Sequence, residues 1–273
     1  MPEKKFVSKP EHIRVVPLHV PKANVKLEDL GTNKEDSELF DGRKKIAPTS
    51  AHLTYMGGPL IKNVQVYTIF WGENWVNTPA YVTLAANLNK YFKAILVSPL
   101  IDQLGEYSVP GKKIGHGKLS GTKTITAKAP VGHISDAQIK KALQGWIAAK
   151  TVPANNANTL YFIYLDIDVK VMMGGGSSCS SFCGYHNDIT GGVYYAVMPF
   201  PSCAGCLGGM SAFDALTATS SHELCEAITD PIPGNGWYDA HNGEIGDICA
   251  WNFKTVAGYK VQLEWSNAQK KCV

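Results

Sequence analysis

The segment that ends at Pro231 predicts a helix whose two ends are both visible in the sequence. Ser211 followed by Asp214 resembles a capping box at the start of the helix. Apolar residues recur along it at helical spacing, namely Phe213, Leu216, Leu224, Ala227 and Ile228. At the other end, Asp230 precedes a proline and is therefore biased away from helical angles. We predict a helix over about residues 212–229.

This predicted helix carries a histidine and two glutamates in the order His222-Glu223-Leu224-Cys225-Glu226. His222 and Glu226 are four residues apart, so their side chains leave one face of the helix about a turn apart, with Glu223 beside them. Such a pair suits a metal ion, with a carboxylate next to its bound water. The familiar zinc-protease pattern has a second histidine where this chain has Glu226, but a carboxylate is an acceptable zinc ligand. The alternative is an ordinary amphipathic helix with these groups on its polar side.

Two more carboxylates follow the helix after a turn-rich stretch at residues 231–236. Glu244 and Asp247 stand 22 and 25 residues after His222. A pair of helical ligands needs a third ligand from a later element, with one position left open for water. Glu244 is our first choice for this ligand, and Asp247 is either a ligand or a partner that orients His222. Clustered acids also suit calcium, although a histidine on the helix argues against that ion.

Composition and charge exclude several classes of protein. A net charge of +3 over 273 residues, with scattered Lys and Arg, argues against a nucleic-acid partner. No run approaches 18 apolar residues, so we expect no membrane span, and no signal peptide is visible at the start. We predict an extended arm or pro-segment over residues 1–50. A single domain should follow over residues 51–273, with residues 230–273 as its C-terminal subdomain.

Alternating and continuous apolar runs from about residue 60 predict strands and helices in succession, as in an α/β (α+β) fold. A capping box at Ser135 and Gln138 predicts the start of one of the helices. The predicted strands are 64–71, 158–165, 193–200 and 259–265, with hairpin strands within 105–129. The predicted helices before the ligand helix are 79–97 and 136–149.

An ordered series of short motifs runs through the second half of the chain. It comprises Cys179-x-x-x-Cys183-Gly184-Tyr185-His186, His222-Glu223-Leu224, Glu226, Thr229, Pro231, Trp237-Tyr238, Glu244-Ile245 and Asp247-x-Cys249. The series resembles the Exordium or phosphate-induced protein 1 family of plant extracellular proteins, together with its microbial zincin-like relatives. The resemblance covers roughly residues 60 to 251. It implies a zincin-like mixed sheet that supports a metal-binding active-site helix, an irregular disulfide-bonded C-terminal part, and an extracellular or cell-wall location.

Six of the seven cysteines lie in glycine-rich or turn-rich segments, whereas Cys225 lies in the predicted helix. The resemblance to extracellular proteins favours three disulfides and one free buried thiol. We expect Cys249 to pair with Cys272, and the other four to pair locally, namely Cys179, Cys183, Cys203 and Cys206. The alternative is a four-cysteine zinc site, because Cys-x-x-x-Cys and Cys-x-x-Cys have tolerable ligand spacing.

The motifs and the resemblance together predict a zinc-dependent peptide-bond hydrolase that acts on a peptide or protein. Zn²⁺ would be held by His222, Glu226 and either Glu244 or Asp247, and Glu223 would act as the general base. Two further residues have predicted roles: Tyr238 would steady the oxyanion, and His186 would face the cleft or ligate the metal. The alternative is a catalytically silent extracellular or cell-wall protein that keeps a structural metal site, with a cell-wall glycan as its partner.

Overall fold

A six-stranded mixed sheet forms the centre of the computed structural model, which describes residues 15–19 and 51–273. The strands are β1 (Val15–Pro17), β2 (Thr54–Tyr55), β3 (Asn63–Trp71), β4 (Gly115–Ile125), β5 (His133–Ser135), β6 (Thr159–Leu165), β7 (Lys170–Met173), β8 (Gly176–Ser177), β9 (Phe182–Ile189), β10 (Val193–Met198), β11 (Trp237–Tyr238), β12 (Phe253–Val256), β13 (Tyr259–Gln262), β14 (Trp265–Ser266) and β15 (Lys271–Cys272). The helices are α1 (Asn74–Asn77), α2 (Pro79–Ile95), α3 (Pro99–Asp102), α4 (Asp136–Ala148), α5 (Ala204–Leu207) and α6 (Ala212–Thr229). Short 3₁₀ helices span Gln103–Tyr107 and Asp247–Cys249.

The central sheet has the order β1-β9-β10-β6-β3-β4. Strands β10, β6, β3 and β4 run parallel to one another, whereas β9 pairs antiparallel with both β10 and β1. Strands β6 and β10 are buried along their whole length, as near-continuous apolar runs predict for strands covered on both faces. The expectation of a mixed α/β fold is therefore confirmed.

The period-two alternation of each central strand builds two separate cores. Along β6, Leu160 and Phe162 join helices α2 and α6 in one core, whereas Tyr161 and Ile163 join helix α4 in the other. The sheet is thus a middle layer between helices. Strand β9 follows the same rule, because Tyr185 lies in the core on the α4 side. His186, the next residue, therefore faces helix α6.

The caps that the sequence predicts at the starts of α4 and α6 are present in the structure. The Ser135 hydroxyl accepts a hydrogen bond from the backbone N–H of Gln138, and the Gln138 side chain completes the capping box at the start of α4. The Ser211 hydroxyl likewise accepts from the Asp214 N–H at the start of α6. Helix α6 covers the predicted residues 212–229.

Helix α6 is not amphipathic in the ordinary sense, because every residue from Ala215 to Thr229 is buried. One side packs on strands β9 and β10 of the sheet, and another packs on the β12–β13 hairpin. The alternative of a helix with His222 and Glu226 on a solvated polar face is therefore wrong. The polar groups of the helix point into the protein.

Three disulfides join the cysteines as Cys179–Cys203, Cys183–Cys206 and Cys249–Cys272, and Cys225 is free and buried. The Cys249–Cys272 pair and the local pairing of the other four are confirmed. Because the four upstream cysteines form two disulfides, none of them is a free thiol, and the alternative of a four-cysteine zinc site is wrong. The last bridge ties the 3₁₀ helix at Asp247–Cys249 to strand β15.

Two strand predictions are wrong. The predicted hairpin within residues 105–129 is a single strand, β4, which runs parallel to β3 at the edge of the sheet. Its side chains alternate between exposed and half-buried, a pattern that a hairpin strand and a parallel edge strand share. The predicted last strand, 259–265, is divided into β13 and the start of β14.

Of the predicted arm at residues 1–50, the structure describes residues 15–19, where β1 pairs with β9 and Val16 is buried. The rest of the predicted arm lies outside the described residues, so a pro-segment stays a prediction. Within residues 15–19 and 51–273, no helix is both long enough and apolar enough to cross a membrane.

Candidate metal centre

Two histidines and four carboxylates from three parts of the chain meet beside helix α6. Strand β9 contributes His186, helix α6 contributes His222, Glu223 and Glu226, and the segment after β11 contributes Glu244 and Asp247. All are fully buried except Asp247, whose side chain is 13% exposed. Buried charges are costly unless they are paired or coordinate a metal, so this cluster requires a chemical explanation.

The first group of candidate ligands surrounds His222. Its Nε2 lies 2.9 Å from Oε1 of Glu226 and 3.9 Å from Oδ1 of Asp247. Despite that short distance, neither ring nitrogen of His222 makes a hydrogen bond of acceptable geometry. The three ligand atoms all lie within 4.8 Å of one another. Polar atoms that approach closely without hydrogen bonding are expected where ligands point at a shared cation.

The second group surrounds His186 on strand β9. Its Nδ1 lies 3.1 Å from Oε2 of Glu223 and 3.5 Å from Oε2 of Glu226, and these atoms also fall within 4.8 Å of one another. Its Nε2 lies 3.1 Å from the backbone carbonyl oxygen of Asp230 and 3.5 Å from Oε1 of Glu244. His186 therefore sits at the centre of the cluster.

Glu244 and Asp247, the two candidates for the third ligand, lie in different parts of the cluster. Asp247 joins His222 and Glu226 in one group, and its backbone N–H donates to Oε1 of Glu226 at 3.1 Å. Glu244 lies on the other side, next to His186, and neither of its carboxylate oxygens makes a hydrogen bond. The structure therefore brings Asp247, rather than our first choice Glu244, into the group around His222.

Two neighbouring residues fix the histidines in place. The Asp230 carboxylate accepts hydrogen bonds from the backbone N–H groups of Gly234 and Asn235, at 2.6 and 3.0 Å, and so folds the turn after the helix. That turn holds the Asp230 carbonyl against His186. Gly246 packs directly on the other histidine, because a Cβ at this position would lie 2.8 Å from Nδ1 of His222.

Glu264 is a buried acid near the cluster that the sequence motifs did not reveal. Neither of its carboxylate oxygens makes a hydrogen bond, and its charge interacts with His222 and Glu226. It lies 42 residues after the histidine of the helix motif, between β13 and β14. In the alternating pattern of the predicted strand 259–265, Glu264 shares the polar positions with Lys260 and Gln262, so the pattern offered no signal that this acid is buried.

The electrostatics of the cluster are those of a site that holds protons when no cation is bound. Burial by itself lowers the pKa of His222 and of His186, but the surrounding carboxylates reverse this and raise both values well above the usual range. Burial raises the pKa of Glu244 well above its usual range. The pKa of Glu226 falls to about 2, because the two histidines outweigh the effect of burial. Metal binding would displace the protons on the ligands.

Tyr238, the predicted oxyanion residue, lies half-buried on β11 opposite Thr54 of β2. Its role in catalysis stays a prediction.

Neither the models of known protein families nor the curated proteins give a match to this chain. The resemblance to the Exordium family therefore stays a prediction.

Proposed function

We propose that this chain is a zinc-dependent peptide-bond hydrolase with a zincin-like arrangement, in which His222, Glu226 and Asp247 hold the cation. The observation that carries the proposal is the buried His222 ring, which lies 2.9 Å from a carboxylate oxygen and makes no hydrogen bond. A nitrogen ligand with carboxylate oxygens suits zinc better than calcium, which prefers oxygen ligands alone.

The position of Glu223 supports its role as the general base. It lies on the same helix as two of the ligands, and its Oε2 lies 3.1 Å from Nδ1 of His186. Its other oxygen, Oε1, makes no hydrogen bond and is available to accept a proton. Burial raises the pKa of Glu223 above its usual value, which brings the group closer to the range in which a general base works near neutral pH.

When bound, zinc lowers the pKa of a coordinated water and polarises the carbonyl that is attacked. Glu223 would accept the proton at Oε1 and deliver it to the leaving amine. The carboxylates of Glu226 and Asp247 together offset the double charge of the ion, which weakens its acidifying effect. We therefore expect a slow protease, or one with a narrow range of substrates.

The fold and the cysteines support the wider setting of this proposal. A mixed sheet carries helix α6 on one face, and a later segment returns Asp247 to it, as a zincin-like enzyme requires. Three disulfides favour an oxidising compartment, so we propose an extracellular or cell-wall location.

One observation favours the second candidate, a catalytically silent protein with a structural metal. The side chains of His222 and Glu226 are 0% exposed, and structural metal sites are closed whereas catalytic ones keep a position open to substrate. Catalysis would require this region to open. A cell-wall glycan is the partner that this candidate would bind.

Metal analysis and a Glu223→Gln variant of the full chain separate the two candidates. We expect the wild-type protein to contain zinc and to cleave members of a peptide library, read by mass spectrometry. The variant should keep its metal but lose about 100-fold or more of the cleavage rate, because it cannot accept the proton. Glu73→Gln, an exposed position, is the matched control and should cleave normally. Zinc without cleavage in the wild type would instead favour the silent protein, and calcium would contradict both.

A further inference from the structure

We infer that the buried cluster holds two divalent cations that share the carboxylate of Glu226, with the second cation held by His186, Glu223 and Glu226. The inference rests on the cation of the proposed function, because Glu226 is a ligand of both. It assigns His186 as a metal ligand and makes the centre dinuclear.

The orientation of His186 directs one ring nitrogen towards the proposed second cation. Its Nε2 lies 3.1 Å from the carbonyl oxygen of Asp230, and a carbonyl can only accept, so Nε2 carries the hydrogen and donates it. In the neutral imidazole, the lone pair is then on Nδ1. This nitrogen faces Oε2 of Glu223 at 3.1 Å and Oε2 of Glu226 at 3.5 Å, which are also electron-pair donors. A backbone carbonyl that orients a histidine in this way is a common partner of metal-ligating histidines.

Glu226 is placed to bind both cations, because its two carboxylate oxygens face different histidines. Oε1 lies 2.9 Å from Nε2 of His222, whereas Oε2 lies 3.5 Å from Nδ1 of His186 and makes no hydrogen bond. The groups around the two histidines each have ligand atoms within 4.8 Å of one another, and Glu226 belongs to both. This is the arrangement of a bridging carboxylate between two ions about 3.5–4 Å apart.

The negative charge of the carboxylates also favours two cations over one. Glu223, Glu226, Glu244 and Asp247 place four carboxylates around the two histidines, and three of these acids are fully buried. The three acids in the two ligand groups, Glu223, Glu226 and Asp247, carry more negative charge when ionised than one divalent cation offsets. A second cation would offset the excess with both histidines neutral, as metal ligation requires.

The second cation is compatible with the role of Glu223 as a base. Oε2 would face the cation, and Oε1, which makes no hydrogen bond, would remain for the proton. His186 and carboxylates suit the same divalent transition metals as the first group.

Zinc stoichiometry of the full chain tests the inference without any measurement of activity. The protein is stripped with a chelator, reloaded with Zn²⁺ and weighed by native mass spectrometry. We expect two zinc ions per chain in the wild type and one in His186→Gln. His241→Gln, at an exposed histidine, is the matched control and should keep two. One zinc in the wild type would overturn the inference, whether or not the variant folds.

Manganese tests whether the two ions are neighbours. The protein loaded with Mn²⁺ should give the electron paramagnetic resonance signal of a spin-coupled pair, because a bridging carboxylate couples its two ions. Two uncoupled ions would overturn the inference. Failure of the proposed function gives different results: two coupled ions without peptide cleavage would keep the dinuclear centre and remove the hydrolase, whereas no bound ion would remove both.

Discussion

At the scale of single residues, the buried acid Glu264 shows how much charge helix α6 has beside it. Burial raises its pKa well above the usual range, and Glu226 raises it further, while His222 acts in the opposite direction. The folded, metal-free protein therefore prefers the neutral carboxyl. Its contribution to stability is complete below the ordinary pKa of a glutamate and is lost as the pH rises through the raised value.

Glu264→Gln should remove this pH dependence. In chelator, the free energy of unfolding of the variant should exceed that of the wild type by about 1–3 kcal/mol at about pH 8, and the two should be nearly equal at about pH 4. Urea unfolding at both pH values measures the difference. Glu73→Gln, at an exposed site, should give no pH-dependent difference. An equal effect of Glu264→Gln on stability at both pH values would show that the raised pKa of Glu264 does not cause the difference.

At the scale of elements, the contact between helix α6 and the 3₁₀ turn at Asp247–Cys249 positions the His222 ring. Gly246 has φ of −79° and ψ of −37°, so an alanine fits its backbone without strain. Its Cβ, however, would lie 2.8 to 2.9 Å from three atoms of the ring. The ring would have to move although no ligand is changed.

Gly246→Ala should therefore weaken zinc binding by about 10-fold to 100-fold, the range seen when the support of a ligand is lost. Competition with a chromogenic chelator measures the affinity. Gly145→Ala is the matched control, because this exposed glycine in α4 has open space around it. It should leave zinc affinity unchanged and raise stability by up to about 1 kcal/mol. Equal zinc affinity in the two variants would show that Gly246 does not position the ring.

At the scale of the whole molecule, the disulfides divide into one bridge at the 3₁₀ turn Asp247–Cys249 and two near the start of β9. Cys249–Cys272 and Cys179–Cys203 close loops of nearly equal length, with sequence separations of 23 and 24. Loop-closure entropy is therefore nearly the same for both. Their effects on zinc binding should differ because only Cys249 lies in the turn that begins at Asp247, the proposed ligand.

Serine replacement of both cysteines should lower the free energy of unfolding by about 2–4 kcal/mol for either bridge. Only Cys249→Ser with Cys272→Ser should also weaken zinc binding by a large factor, because Asp247 would lose its anchor. Denaturant unfolding and chelator competition on both double variants measure the two effects. A similar loss of zinc affinity for Cys179→Ser with Cys203→Ser would mean that the bridges act through overall stability alone.

The sequence by itself determined the local features of this protein. The ends of helix α6, the four-residue spacing of His222 and Glu226, and the strands buried on both faces all follow from backbone geometry and short-range patterns. The expected pairing of Cys249 with Cys272 was also correct, although it depended on the resemblance.

Only the tertiary structure decided which distant residues meet. It brought Asp247 rather than Glu244 to His222, oriented His186 on strand β9 towards Glu223, and buried helix α6 on both sides. The parallel edge position of β4 was decided in the same way. The physical reason is that spacing within a helix or strand is fixed by its own period, whereas contacts between elements depend on how whole surfaces pack, and adjacent residues do not encode this.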